Sequence, residues 1–296
     1  MTIDSLGSVS GSGDAVSYQA DGLTYAGIEW QPEGDVVVIA IHGWLDNALS
    51  FDQIAPGLSP FRVISLDLSG HGLSSWRSPD STYNIWDDIP QLVTVVKQIT
   101  SGSVVIMGHS RGAAIASMLA SILGDQCSHL VLIDGLINAF NDDNNTVDQL
   151  SRFVADRQKY LSRAPRFFES LNGFVERRRA FGFDDSSAIK LAPRALEATS
   201  AGLRLRTDPR LQGASALWLS EAQRDEIYAG VTAPVLGICA TEGLFARSGT
   251  PGKMLEEARQ HIERFECVHH AGRHHLHMDT AHAASVAERI KTFLLK

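Results

Sequence analysis

The stretch "VVIMGHSRGAA" contains Gly108-His109-Ser110-Arg111-Gly112, residue types that suit a serine nucleophile held in a sharp turn. The run before it is apolar and β-branched and the run after it is Ala-rich, so the pattern predicts a strand, a tight turn and a helix. Positions 108 and 112 must be small because such a turn presses them against the neighbouring strand and helix. Ser110 would then adopt a strained backbone and stand above the sheet, at the positive end of the helix. A serine hydroxyl is too weak an acid to attack a carbonyl unaided, so a base must lie within reach. The C-terminal "HHAGRHHLHMDTAHAASVAERI" offers His269, His270, His274, His275, His277 and His282. As metal ligands these histidines lack helical i, i+4 pairing, and no Cys or acidic partner stands at a metal-like spacing, so no metal is expected. As a base, one of them occupies a loop, "AGRH", between the last strand and a C-terminal helix, overhanging the nucleophile.

The elements that must position these groups are legible as an alternation. "AVSYQADGLTYAGIEW" reads as a hairpin around Asp21-Gly22. After it, runs at 36–43, 61–70, 103–110, 129–135, 233–240 and 263–270 are short and apolar almost throughout, as strands buried on both faces of a parallel sheet must be. "NIWDDIPQLVTVVKQI", "AAIASMLASIL" and "AHAASVAERIKTFLL" carry helical periodicity. The alternation predicts a doubly wound α/β sheet with an antiparallel N-terminal pair. Residues 136–230 contain no convincing strand but several helical patterns, among them "VDQLSRFVADRQKYL", "RFFESLNGFVERRRAF" and "AIKLAPRALEATSAGLRL". The predicted organisation is a core in two parts, 1–135 and 231–296, with a helical cap at 136–230 above the carboxyl ends of the strands.

Composition narrows the partners. The chain has 296 residues, 44% of them hydrophobic, and a net charge of −8, which argues against nucleic acid as a partner. Residues 151–210 hold 13 Lys+Arg against 7 Asp+Glu, so the cap is locally +6 and the remainder −14. That balance either favours an anionic substrate or reflects pairing between cap and core. The apolar runs stop well short of a membrane span. The Gly/Ser-rich N-terminus has no basic or apolar signal region and reads as a mobile tail. Cys127, Cys239 and Cys267 read as isolated, reduced thiols of a cytoplasmic protein.

The segments "IHGWLDNALSFDQIAPGLS", "SLDLSGHGLSSWRSP", "VVIMGHSRGAAIASMLA" and "GRHHLHMD" resemble the α/β-hydrolase superfamily over nearly the whole chain. Within it they look like the serine hydrolase-like proteins, near the haloalkane dehalogenase and epoxide hydrolase branch. The resemblance implies the α/β-hydrolase fold: a mostly parallel eight-stranded sheet flanked by helices, with an inserted helical cap. It implies His274 as the base, with His275 and His277 as flanking residues. It also implies an oxyanion hole formed by the backbone N–H groups of Trp44, after "HG", and of Arg111. The acid has two possible origins. Many relatives carry it after the strand "PVLGICA", where Gly243 stands and only Glu242 is near; others carry it one strand earlier, where this chain has Asp134. Asp134 is favoured because it ends the strand beside the nucleophile, and Glu242 is the alternative. His42 and His71 read as turn-holding residues, His109 as pointing away from substrate, and Arg111 as a side chain packed on the cap that could instead bind a carboxylate. The triple arginine 177–179 reads as a solvated helix face. The implied activity is a cofactor-free serine hydrolase cleaving small to medium carboxylic esters through an acyl-enzyme, acting as monomer or homodimer. Alternatives are a thioesterase, a lactonase, a C–C bond hydrolase or lyase, and a non-catalytic binding protein.

Overall fold

A computed structural model describes residues 8–138, 145–246 and 250–296. Eight strands form the central sheet: β1 (Asp14–Ala20), β2 (Leu23–Trp30), β3 (Val37–Ile41), β4 (Arg62–Leu66), β5 (Val104–His109), β6 (Cys127–Ile133), β10 (Val235–Glu242) and β11 (Phe265–Arg273), in the spatial order β1-β2-β4-β3-β5-β6-β10-β11. The β1/β2 and β2/β4 pairs are antiparallel and every other pair in the sheet is parallel. The unbroken apolar character of the strands has a direct cause. Ile39, Ile41, Ile64, Leu66, Ile106, Leu130 and Leu132 pack on one face, while Val38, Ala40, Val63, Val105, Met107, Val131 and Ile133 pack on the other, so both faces are covered.

Helices α1 (Ile89–Ile99), α2 (Arg111–Leu123), α6 (Glu221–Ala229) and α7 (Thr250–His261) cover the first face, and α8 (Ala283–Leu294) packs on the second. α6 opens on a capping box, in which the Ser220 side chain accepts from Gln223 N–H and the Gln223 side chain accepts from Ser220 N–H. The N-terminal segment predicted as mobile falls partly on residues 1–7, outside the described residues. Its described end is tethered, since Ser12 donates through both N–H and Oγ to Asp52 Oδ1 at 2.8 Å. No helix among the described residues is long and apolar enough to cross a membrane. Cys239 and Cys267 are not isolated in space: β10 and β11 bring their sulfurs within 3.1 Å.

The interval expected to be purely helical is not. It holds α3 (Thr146–Leu161), α4 (Leu171–Arg179), α5 (Asp185–Ala195) and α6, which packs on the core sheet rather than in a cap, but also a three-stranded antiparallel sheet of order β7-β9-β8, from β7 (Phe167–Phe168), β8 (Leu196–Thr199) and β9 (Gly202–Leu205). Two local features break the helical reading of "AIKLAPRALEATSAGLRL". Pro193 lies in the last turn of α5 and removes a donor, and Gly202 turns the chain at φ +117 so that Leu196–Thr199 folds back on Gly202–Leu205. Likewise "RFFESLNGF" is divided where Ser170 caps α4, its side chain accepting from Gly173 N–H.

Charge pairing holds this insertion on the core. Arg178 Nη2 donates to Asp46 Oδ1 at 3.0 Å, and Arg194 Nε donates to Asp67 Oδ2 at 2.7 Å with both side chains fully buried. Arg157 donates to the Ser81 and Pro79 carbonyls, and Arg210 to the Arg77 and Ser78 carbonyls. The expected solvated face at 177–179 is therefore corrected. Arg179 is exposed and pairs with Asp185, but Arg178 is buried against Asp46 and Arg177 lies over the Phe181 ring. Much of the basic excess of the insertion is spent on contact with the acidic core rather than on open surface.

Arg194→Met would leave the Asp67 carboxylate buried without its cation, so the unfolding free energy in urea should fall by about 3–5 kcal/mol. A loss under about 1 kcal/mol would mean that the Ala48 and Leu73 N–H groups, each 2.7 Å from that carboxylate, satisfy it on their own.

Candidate active site

The turn after β5 is as tight as the sequence implies. Ser110 has φ +53 and ψ −120, a backbone state costing of the order of 1–3 kcal/mol for a residue with a side chain. It is fixed by Ser110 N–H donating to the Ile133 carbonyl and by Ala113 N–H donating to the Ser110 carbonyl, each at 3.0 Å. A Cβ on Gly108 would overlap the Gly112 carbonyl, and one on Gly112 would overlap the Ile41 carbonyl, so the two glycines are steric requirements of the turn.

His274 follows directly on β11 and its imidazole bridges two groups. Nε2 lies 2.9 Å from Ser110 Oγ and Nδ1 lies 2.7 Å from Asp134 Oδ2. A carboxylate only accepts, so Nδ1 carries the proton and Nε2 faces the serine as an acceptor. Asp134 stands just past the end of β6, fully buried, with φ +41. Its Oδ1 accepts from Ala240 N–H at 3.0 Å and its Oδ2 from Leu244 N–H at 2.9 Å. These donors hold the carboxylate in one orientation.

Glu242, the alternative acid, is not brought into this set. Its side chain is 68% exposed and faces Arg273 at 3.9 Å, away from His274. Gly243 accounts for the difference. A Cβ at 243 would overlap the Asp134 carboxylate, so the space that a side chain from this loop would need is already filled from the neighbouring strand.

The chain around "HGW" is held by the histidines read as structural. His42 donates from Nδ1 to the Gly43 carbonyl at 2.7 Å and accepts at Nε2 from Leu68 N–H at 3.0 Å. His71 donates from Nδ1 to the Ser69 carbonyl at 3.1 Å and accepts from Leu45 N–H at 3.3 Å. No hydrogen bond among the described residues uses the N–H of Trp44 or of Arg111, the first residue of α2. The Trp44 indole donates to the Leu211 carbonyl at 2.8 Å, tying this loop to the insertion. The Arg111 side chain donates from Nη2 to the Tyr83 carbonyl at 3.0 Å, within the core.

Behind His274 lies a buried group that the sequence pattern did not reveal. His109 Nε2 donates to the His274 carbonyl at 3.0 Å, so the residue before Ser110 holds the backbone of His274. His109 Nδ1 lies 3.5 Å from Asp46 Oδ2, and the His109 ring lies 5.0 Å from that of His275 and 4.2 Å from that of His277. His275 stacks on Phe183 at 3.8 Å, and His277 Nε2 lies 2.9 Å from Ser50 Oγ. Burial alone would raise the Asp46 carboxyl, but the Arg178 guanidinium that donates to it opposes burial, and the group is held below the usual range. His109, His274 and His275 each bring a ring nitrogen within 4.8 Å of the others. Both His274 nitrogens are already engaged by Asp134 and Ser110.

Ser110 opens onto a cavity of about 350 Å³ whose walls include Trp44, Trp86, Leu136, Leu217 and Phe245. Its size suits a small or medium organic molecule and its walls are mainly apolar.

Residues 36–281 match the family described as alpha/beta hydrolase fold. The chain belongs to that family. Among the alpha/beta hydrolases it is 28% identical over 288 residues to a serine hydrolase-like protein of Dictyostelium discoideum, covering 93% of this chain and 80% of that one. It is 29% identical over 273 residues to serine hydrolase-like protein 2 of Homo sapiens, covering 87% and 86%. A crystal structure of a hypothetical protein of Pseudomonas aeruginosa PAO1 superposes on this alpha/beta hydrolase with a TM-score of 0.87 at 31% identity, over 96% of this chain and 100% of that one.

Burial pushes His42, His71, His109, His275 and His277 below the ordinary histidine range, the last two and His71 strongly. The folded chain keeps these rings neutral while the unfolded chain protonates them below about pH 6.5. Stability is therefore fully retained above that pH and lost as pH falls from it toward the lowered pKa of each folded ring. The melting temperature should drop as the pH falls from about 6.5 to 5. A flat profile across that range would show that the rings protonate in place.

Proposed function

We propose that the protein is a serine hydrolase that cleaves carboxylic esters of small to medium acyl groups through an acyl-enzyme. The observation that carries this reading is the continuous chain from Ser110 Oγ through the His274 imidazole to the buried Asp134 carboxylate, opening on a cavity. Ser110 Oγ attacks the ester carbonyl as His274 Nε2 takes its proton. The carbonyl oxygen becomes an oxyanion received by the backbone N–H groups of Trp44 and Arg111, each donor contributing about 2.7–4 kcal/mol to the barrier reduction. His274 then gives the proton to the departing alkoxide and the C–O bond breaks, leaving the acyl group on Ser110. A water, deprotonated by His274, attacks the acyl carbon, and the acid leaves as Ser110 regains its proton. Asp134 holds the tautomer of His274 and stabilises the imidazolium at both stages. None of these steps calls for a cofactor.

The test is hydrolysis of p-nitrophenyl acetate and butyrate, with fluorophosphonate labelling as a second readout. Ser110→Ala should abolish labelling, and both it and Asp134→Asn should lower kcat by on the order of 10³-fold or more, while Glu242→Gln retains the wild-type rate. Loss of activity in Glu242→Gln with retention in Asp134→Asn would reverse the assignment of the acid. An unlabelled wild type without esterase activity would remove the reading altogether.

Gly243→Ala should lower kcat without matching loss of stability, because the added methyl displaces the Asp134 carboxylate from His274. The double variant Asp134→Gly/Gly243→Asp should recover part of the activity lost in Asp134→Gly. Unaltered kinetics in Gly243→Ala would show that the loop yields without disturbing the acid.

A further inference from the structure

Resting on the hydrolase reading above, we infer that the ester taken by this site carries a second, ionised carboxylate, and that the Arg111 guanidinium binds it. Arg111 lines the same cavity as Ser110 and is the only charged residue among the described residues that do so. Tyr83, Ile85, Trp86 and Ala114 line the cavity with it, and its Nη2 donates to the Tyr83 carbonyl. A guanidinium has five N–H donors, and this hydrogen bond uses one. Among the described residues no carboxylate lies within 4.0 Å of the Arg111 nitrogens. Neither Nε nor Nη1 is among the fully buried atoms left without a partner, so each keeps some accessible surface.

The contrast with arginines of the insertion is informative. Arg178, Arg194 and Arg210 each meet a carboxylate, at 3.0, 2.7 and 2.7 Å. The acidic groups nearest in effect to Arg111 are Asp87 and Asp88, and both are engaged elsewhere. Asp88 Oδ1 receives the Tyr25 hydroxyl and Arg77, while Asp87 Oδ2 receives the Thr82 hydroxyl and Asn84 N–H. Burial lowers the Arg111 pKa, yet a guanidinium stays charged in proteins. Arg111 also stands at the first position of α2, where the helix dipole opposes a cation. A cation at that end of a helix, in an apolar wall and without a carboxylate partner, is unfavourable for the empty protein. A ligand carboxylate reverses each term: it supplies the missing countercharge, fits the planar fork of donors, and lies favourably at the helix N-terminus. A neutral ester gains none of this.

The substrate class is thus a monoester of a short dicarboxylic acid, or an ester whose alcohol part carries the acid. The test compares kcat/KM for monomethyl succinate, glutarate and adipate with their neutral carboxamide isosteres, in wild type, Arg111→Gln and Arg111→Lys. The best monoester should exceed its isostere by about 10-fold to 100-fold in wild type, a ratio that collapses in Arg111→Gln and is partly restored in Arg111→Lys. The ratio compares two substrates in one protein, so any general loss of activity cancels. A wild-type ratio near or below one for all three acids, or a ratio unmoved by Arg111→Gln, overturns the inference while leaving the hydrolase reading intact. Calorimetric titration of Ser110→Ala with the same monoesters makes the test independent of turnover. Binding that weakens at least 10-fold in Ser110→Ala/Arg111→Gln supports the carboxylate site even if fluorophosphonate labelling of wild type fails, and binding indifferent to Arg111 refutes it.

Discussion

The Asp134 carboxylate is the point on which the site depends. It is fully buried and takes three donors from three separate stretches of chain: Ala240 N–H at the end of β10, Leu244 N–H beyond it, and His274 Nδ1 after β11. A buried carboxylate left without donors would be costly, so these contacts hold the loops after β10 and β11 to the end of β6. The orientation of His274 toward Ser110 follows from that attachment. So does the identity of residue 243, since the carboxylate fills the volume a side chain there would occupy.

A second layer of buried charge attaches the insertion. Asp46 and Asp67 belong to the core loops after β3 and β4, and each receives an arginine from the insertion. Asp46 also lies beside His109 and His275, so the insertion's Arg178 and the base's own neighbours share one carboxylate. The site and the attachment of the insertion are in this way one electrostatic unit. His109 carries the connection to His274 through its hydrogen bond to the carbonyl of the base. This explains a histidine directly before the nucleophile: its ring points back into the protein, where a buried donor is needed.

The core was readable because its inner strands β3 to β6 and β10 are apolar on both sides, a pattern imposed by helices covering both faces of a parallel sheet. The elbow was readable because steric exclusion at 108 and 112 is local and leaves a local mark. The small sheet of the insertion was not, because Leu196–Thr199 and Gly202–Leu205 are only four residues each and abut a true helix. Arg178 could not be told from Arg177 and Arg179 by composition, since burial of one arginine out of three is decided by where Asp46 stands.

By itself the sequence marked Ser110 as the candidate nucleophile, offered a set of candidate bases and determined the layered α/β architecture, since these follow from spacing over a few residues or from periodicity within one element. The tertiary structure shows which of the two candidate acids meets His274. Asp134 and Glu242 both stand at strand ends, and the sequence favoured Asp134 only for its place beside the elbow strand. The choice rests on which carboxylate can reach a histidine 140 positions away from Asp134 while finding backbone donors, and on the direction each side chain takes as its strand ends. One is buried among three donors and the other is turned to solvent beside Arg273, an outcome set by packing between distant segments.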